Sequence, residues 1–221
     1  MAYEAWLDRK DPWASLARMY GVQERMERPS IRALVELAQP TRGDSVIDLA
    51  TGTGLVARAL LQHPDPPGSF VGVDLSQAML DRVGELPSGW SVRIADALRT
   101  GLDPHSASLV TSAWLLHLLD PAERLTALQE MRRLLAPDGR AVLIVPSGTR
   151  PHGIARAAAP ITRFVARRRG LHVLQPVAQL HDLIDAAGLA CQLEVTTIDG
   201  WPARVLLLRH TSMPTRPEPP T

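Results

Sequence analysis

Cysteine, lysine, aromatics and long apolar runs are all scarce in this sequence, and each scarcity excludes something. One cysteine, Cys191, forbids an internal disulfide and any zinc site built on two or more thiolates, and no metal site is expected. No apolar run approaches the roughly 20 residues that a membrane-spanning helix needs. The opening MAYEAWLDRK has no signal-peptide hydrophobic region, so a soluble, cytoplasmic protein is expected. A net charge of +1 speaks against a globally cationic nucleic-acid binder. Aromatics make up 4% of the chain, few for base stacking. Lys10 is the only lysine, and every other basic side chain is arginine.

What is present is ordinary globular composition, 45% apolar and 21% charged over 221 residues. A single domain over 1–211 is expected, followed by a disordered proline-rich tail, MPTRPEPPT, within 212–221. The first forty residues read as a helical lid, broken at Pro12, with a second helix over Ile31–Leu37 that stops before Pro40. Element types then alternate. VIDLA (46–50), FVGVD (70–74), SVRIA (91–95), SLVTSAWLL (108–116) and RAVLIVP (140–146) read as strands, short and continuously apolar as doubly buried parallel strands should be. Helices are expected from Gly54, from Ser76 as N-cap, and from Asp120-Pro121-Ala122-Glu123, a capping-box-like start that Pro137-Asp138-Gly139 would end. Another follows over PVAQLHDLIDAAG, with Pro176 near its start. LACQLEVTT and ARVLLLR are joined by a loop too short for a helical crossover, so they form an antiparallel hairpin. The predicted fold is α/β: a seven-stranded, mostly parallel, doubly wound Rossmann-like sheet with an antiparallel last strand and a helical lid.

Ligands in such sheets bind at the carboxyl ends of the strands. Asp48 lies near the end of the first strand, followed by the turn Ala50-Thr51-Gly52-Thr53-Gly54, whose glycines permit close backbone approach. Asp74 ends the second strand, where a carboxylate can accept both hydroxyls of a ribose, and Asp96 follows the third. Solvent-facing acids at strand ends are the plain alternative for either one alone. The set of three with a glycine turn favours one ligand crevice.

VIDLATGTG, GVDLSQAML, IADAL and LQEMRRLLAPDGRAVLIVP resemble the successive motifs of class I S-adenosylmethionine-dependent methyltransferases, from about Ser45 to Val145. The DLATGTG form is most similar to the quinone-biosynthesis C-methyltransferase branch and its small-molecule relatives. The resemblance implies S-adenosylmethionine as cofactor, with Asp48, Ala50, Gly52 and Gly54 around its methionine moiety and Asp74 on the ribose. It places Leu75 and Met79 beside the adenine, Asp96 on the adenine amino group with Ala97 next to it, and Ser112 facing the cofactor. Ala50 stands where the common pattern has its first glycine.

Two other enzyme readings compete. Gly52-Thr53-Gly54-Leu55-Val56-Ala57 also fits the dinucleotide fingerprint of a nicotinamide oxidoreductase. Asp48 opposes that reading, because an acid repels a pyrophosphate yet attracts the cationic amino-acid end of the methyl donor. A nucleic-acid methyltransferase could use the arginine-rich stretch on phosphates, but no N/D-P-P-Y-type sequence follows the fourth strand, and no nucleic-acid partner is expected. A cofactor-binding protein that transfers no methyl group is a third reading that the sequence leaves open.

The acceptor side is less legible. Holding the acceptor in line supplies much of the rate in methyl transfer, and a base helps a phenol or hydroxyl. His117, in the loop after the fourth strand, is the candidate base, with Tyr20 and His152 as weaker ones. Trp114 is read as pocket wall. The second lid segment, 147–172, carries Arg156, Arg163 and Arg167 with no acid nearby. This suits a small-molecule acceptor with an anionic or amphiphilic character, or a peripheral contact with an anionic membrane. A solvated basic helix face is the plainer reading. Oligomeric state and the acceptor atom (carbon, oxygen or nitrogen) stay open.

Overall fold

A computed structural model describes residues 20–151, 156 and 177–211. Among them, helix α1 (Tyr20–Ala38) leads into β1 (Ser45–Leu49), α2 (Leu55–Leu61), β2 (Ser69–Asp74), the single turn α3 (Gln77–Leu80) and β3 (Trp90–Ile94). Then come β4 (Ala107–Ala113), a 3-10 turn over Leu116–Leu118, α4 (Pro121–Leu134), β5 (Leu135–Pro146), α5 (Leu180–Ala186), β6 (Leu189–Thr197) and β7 (Ala203–His210). The strands form one seven-stranded sheet in the order β3-β2-β1-β4-β5-β7-β6. The first five pair in parallel, and β7 runs antiparallel to both β5 and β6. This is the α/β, doubly wound architecture expected from the sequence. Chain direction across the sheet reverses between β1 and β4, so their carboxyl ends form the crevice where such folds hold ligands.

Strand alternation sends the two faces of the sheet into separate apolar layers. Ile47, Leu49 and Leu143 pack with Leu128, Met131 and Leu134 of α4 and Leu180 and Ile184 of α5. Val46, Val142 and Ile144 pack with Ile31 and Leu34 of α1 and Val56, Ala57 and Leu60 of α2. Each fully buried Leu, Ile or Val contributes about 1.5–3 kcal/mol.

Several boundaries differ from expectation for identifiable reasons. Helix α1 runs straight through Pro29 rather than starting at Ile31. Glu27, Ser30, Ile31, Leu34 and Ala38 form one buried stripe at helical spacing across the proline, and this burial outweighs the roughly 3 kcal/mol that an interior proline costs. β5 begins at Leu135, not Arg140. Its register against β4 jumps between the Ala107–Leu135 and Leu109–Arg140 pairs, so Ala136–Gly139 is an irregularity within the strand rather than a loop before it. β3 is an edge strand with several exposed residues, Ile94 among them, so not all five parallel strands are doubly buried. α5 begins at Leu180, and Pro176 lies outside the described residues. The Asp120 capping box is present: its carboxylate accepts from Glu123 N–H and Glu123 reaches back to Asp120 N–H. No helix among the described residues is long and apolar enough to cross a membrane.

The amino edge of the sheet is closed by a polar network. Asp44 is buried and accepts from Thr41 N–H (2.8 Å), Ser108 Oγ (2.6 Å) and Arg140 Nη2 (2.8 Å). Arg140 also donates to the carbonyls of Ala38 and Gln39 at the end of α1. Burial alone would raise the Asp44 carboxyl, but hydrogen bonds from Arg140, Ser108 and Thr41 outweigh it and hold it well below the usual carboxylate range.

Candidate cofactor and acceptor site

The carboxyl edge is built differently. β1 ends at Leu49, and Ala50 then takes a left-handed conformation (φ 59°) that an alanine adopts at a cost. Gly52 (φ 56°) and Gly54 (φ 79°) follow. A Cβ on Gly54 would sit 2.8 Å from a Val83 methyl, so the turn must pass that side chain bare. A Cβ on Gly52 would meet nothing within 4 Å, which leaves backbone facing open space at the mouth of the crevice.

Asp74 holds this turn from the neighbouring strand. Its Oδ2 accepts from Gly52 N–H at 2.8 Å and its Oδ1 from Ser76 N–H at 2.9 Å. The carboxylate is thereby fixed at the end of β2, against the glycine turn. Asp96 Oδ1 accepts from Leu98 N–H at 2.9 Å, forming a local turn after β3. Met79 and Ala97 are buried and Leu75 is half-buried, a partly apolar setting between these two acids.

Asp48 is the most unusual of the three acids. It is 1% exposed, its Oδ1 accepts from Thr111 Oγ1 at 2.7 Å, and its Oδ2 has no hydrogen-bond partner among the described residues. Burial pushes its pKa up to about 7, against the hydroxyls of Thr111 and Thr51, which lower it, and with the negative charge of Asp74 adding to the rise. The neighbouring Thr51 hydroxyl is buried and approaches this carboxyl without closing a hydrogen bond of full geometry. Gly72 makes room for it, because a Cβ there would stand 2.8 Å from Thr51 Oγ1. Such atoms are costly unless something polar meets them.

Ser112 is buried and donates to the Leu49 carbonyl at 3.2 Å, so its hydroxyl braces β4 against the end of β1. Beyond it, Trp114 has φ 61°, a rare conformation for a bulky residue, and its N–H pairs with the Ile144 carbonyl at 3.0 Å. Its ring packs with the α1–α2 layer, whereas Leu116 belongs to the α4–α5 layer, so the chain crosses the sheet edge here. His117 is 5% exposed and meets Trp114 edge-on, ring centroids 6.1 Å apart. Burial, with the Arg124 charge adding, lowers its pKa to about 3. In the free protein this burial favours the neutral imidazole. Trp114 Nε1 and His117 Nδ1 have no partner among the described residues.

Sequence reasoning missed the ties from α1. Glu24 Oε1 accepts from Thr53 Oγ1 and from Arg58 Nη2, each at 2.8 Å, and Arg58 Nη1 donates to the Thr53 carbonyl. No motif announces this, because the three residues belong to a helix, a turn and another helix. Arg156 is exposed. Arg163, Arg167, His152 and the Tyr20 side chain lie outside the described residues, as do most of the second lid segment, 147–172, and the tail, 212–221.

A further cluster joins β6, β7 and α5. His181, Cys191 and Glu194 approach within 4.8 Å, but the Arg204 guanidinium donates to both Glu194 oxygens and to His181 Nε2, which makes this an ion-paired network rather than a cation cage.

Residues 46–139 match a family model described as "Methyltransferase domain". The ubiquinone/menaquinone biosynthesis C-methyltransferase of Geobacter sulfurreducens is 30% identical over 131 residues, covering 57% of this chain and 49% of that one. The malonyl-[acyl-carrier protein] O-methyltransferase of Alcanivorax borkumensis is 34% identical over 134 residues, covering 59% and 44%. The chain thus spans about half the length, or less, of these curated relatives. A structure of Burkholderia thailandensis 1,6-didemethyltoxoflavin-N1-methyltransferase superposes with a TM-score of 0.62 at 18% identity, covering 90% of this chain and 84% of that one, and shows the shared fold. The strand order, the acids at three successive strand ends and the match over residues 46–139 agree: this chain carries a methyltransferase domain on the class I, Rossmann-like methyltransferase fold.

Proposed function

We propose that the protein transfers the methyl group of S-adenosylmethionine to a small-molecule acceptor. The observation that carries this reading is Asp48, a buried carboxyl with one unmet oxygen beside a bare glycine turn. An unmet carboxyl oxygen suits a cationic ligand group and would repel a pyrophosphate, which sets the nicotinamide reading aside. Asp48 and the 50–54 backbone would hold the amino-acid end, Asp74 the ribose hydroxyls, and Asp96 with Leu75, Met79 and Ala97 the adenine. The cofactor supplies an electrophilic sulfonium methyl. The residues of this chain bind and orient it, exclude water through the apolar walls, and hold the acceptor in line. Relatives named as C- and O-methyltransferases, and a structural neighbour named as an N-methyltransferase, support the reaction class and leave the acceptor atom open.

The arginine-rich segment supports an acceptor with an anionic or amphiphilic part, Arg156 being exposed. Calorimetry with S-adenosylmethionine, S-adenosylhomocysteine, NAD and NADH tests the cofactor, with micromolar binding expected for the first pair alone. Heat from the nicotinamides only would overturn the reading. A radiolabelled-methyl assay on cell extract then tests transfer.

A further inference from the structure

Six buried side-chain polar atoms among the described residues have no hydrogen-bond partner. Two belong to the β6–β7 hairpin (Thr197 Oγ1 and Trp201 Nε1). The other four follow the carboxyl ends of β1 and β4 or lie within them: Asp48 Oδ2, Thr51 Oγ1, Trp114 Nε1 and His117 Nδ1. The first two fall where the amino-acid end of the cofactor would lie. The second pair follows β4 at the same carboxyl edge of the sheet, and the cofactor assignments leave it unused.

Trp114 and His117 are adjacent in space, edge to face at 6.1 Å, and Trp114 is held at φ 61°. Strain of this kind in a bulky residue costs of order 1–3 kcal/mol and concentrates at binding sites. Their unmet atoms specify a complement. An indole N–H only donates, so it requires an acceptor atom. A neutral imidazole nitrogen donates or accepts according to tautomer, and a hydroxyl satisfies either case. The Arg124 side chain, whose Nε donates to the Leu116 carbonyl at 3.0 Å, brings a positive charge to bear on His117 and disfavours a cationic ligand there.

We propose, resting on the methyltransferase reading above, that Trp114 and His117 form the acceptor subsite and select a neutral or anionic ring bearing two neighbouring oxygens, at least one of them a hydroxyl. Trp114 Nε1–H donates to one oxygen and His117 Nδ1 pairs with the hydroxyl. His117 acts here as a neutral hydrogen-bonding group that positions the acceptor, and no proton is stored on it.

The test uses the full chain saturated with S-adenosylhomocysteine and four probes: catechol, phenol, 1,2-dimethoxybenzene and benzylamine. Ligand-observed NMR titration should show catechol binding at least tenfold more tightly than phenol or 1,2-dimethoxybenzene, with benzylamine weakest. Trp114→Phe keeps a ring but deletes the N–H. It should erase at least fivefold of the catechol affinity and leave S-adenosylhomocysteine affinity unchanged. His117→Leu should bring catechol level with 1,2-dimethoxybenzene. Four probes of equal affinity, or a Trp114→Phe protein with unaltered catechol binding, would overturn the subsite. If either variant fails to fold, the probe series on the unaltered protein still decides. Absence of S-adenosylhomocysteine binding would instead remove the methyltransferase reading itself.

Discussion

Glu24 on α1 receives the Thr53 hydroxyl of the glycine turn at 2.8 Å, and the same oxygen receives Arg58 from α2. The backbone that would face the cofactor is therefore fastened to the N-terminal helix by a side chain outside every recognisable motif. Glu24→Gln keeps an acceptor for Thr53 but gives up the charge. Glu24→Ala gives up both bonds. Affinity for S-adenosylmethionine should fall a few-fold in the first variant and about tenfold in the second, since a charge-assisted hydrogen bond contributes about 1.5 kcal/mol or more. Equal affinity in all three proteins, measured by calorimetry, would show that the turn keeps its shape without help.

Ala50 gives a prediction of opposite sign. At φ 59° its Cβ opposes the backbone, and glycine would not. Ala50→Gly should stabilise the free protein by about 0.5–1 kcal/mol, a rise of roughly 1–4 °C in thermal midpoint for a chain of this size. A fall in midpoint would mean that the methyl group packs usefully.

Asp48 ties cofactor binding to pH. With its pKa at about 7, the carboxyl is largely protonated at pH 6 in the free protein. A cationic ligand group beside it favours the ionised form, so binding should release a proton. Calorimetry at pH 6 in two buffers of different ionisation enthalpy should show this release, and Asp48→Asn should abolish it. Affinity should weaken as pH falls from 8 to 5.5, by at most tenfold per unit. A pH-independent affinity would detach Asp48 from the cofactor.

Glu27 governs stability in a similar window. It is buried on α1, and burial, with Glu24 adding and a hydrogen bond from Gln23 opposing, raises its pKa to about 7. A raised acid binds its proton in the folded state first, so stability falls as pH climbs from about 4.5 to 7 and is level above. Asp48 acts in the same direction. His117, kept neutral when folded, acts oppositely between about 3 and 6.5. Two groups outweigh one, so denaturant midpoints should rise on going from pH 7 to 5. Glu27→Gln should remove a contribution of about 1.4 kcal/mol per pH unit. Asp44, Glu130 and Glu194, whose pKa values are lowered, lose their contributions only below the ordinary carboxylate range. An unchanged slope in the Gln variant would place Glu27 in contact with solvent.

The fold was legible because parallel strands buried on both faces must be written as apolar runs, and Asp120 and Ser76 mark helix starts by chemistry that works locally. The cofactor edge was legible for a related reason: strand-end acids and a glycine turn are short-range features. What escaped depended on partners distant in the chain. Nothing near Glu24 signals Thr53 or Arg58, and the helix expected from Ile31 extends upstream only because the buried stripe is continuous across Pro29. His117 reads as a candidate base by position, and the burial and Arg124 charge that lower its pKa are tertiary facts. The bond from the Ser112 hydroxyl to the Leu49 carbonyl joins residues 63 apart and has no local signal either.

The Asp44–Arg140 network gives the molecule a mechanical polarity. At the amino edge Asp44 and Arg140 answer each other and rivet the end of α1 to the sheet, whereas the opposite edge keeps unanswered dipoles. Helix α1 is also held midway, where the Met26 carbonyl accepts from Trp201 N–H at 2.9 Å, so its Glu24 end is moored to the closing hairpin as well as to the glycine turn. Damage to the Asp44–Arg140 rivet should therefore loosen the Ala38 end of the helix and leave Glu24 on its turn.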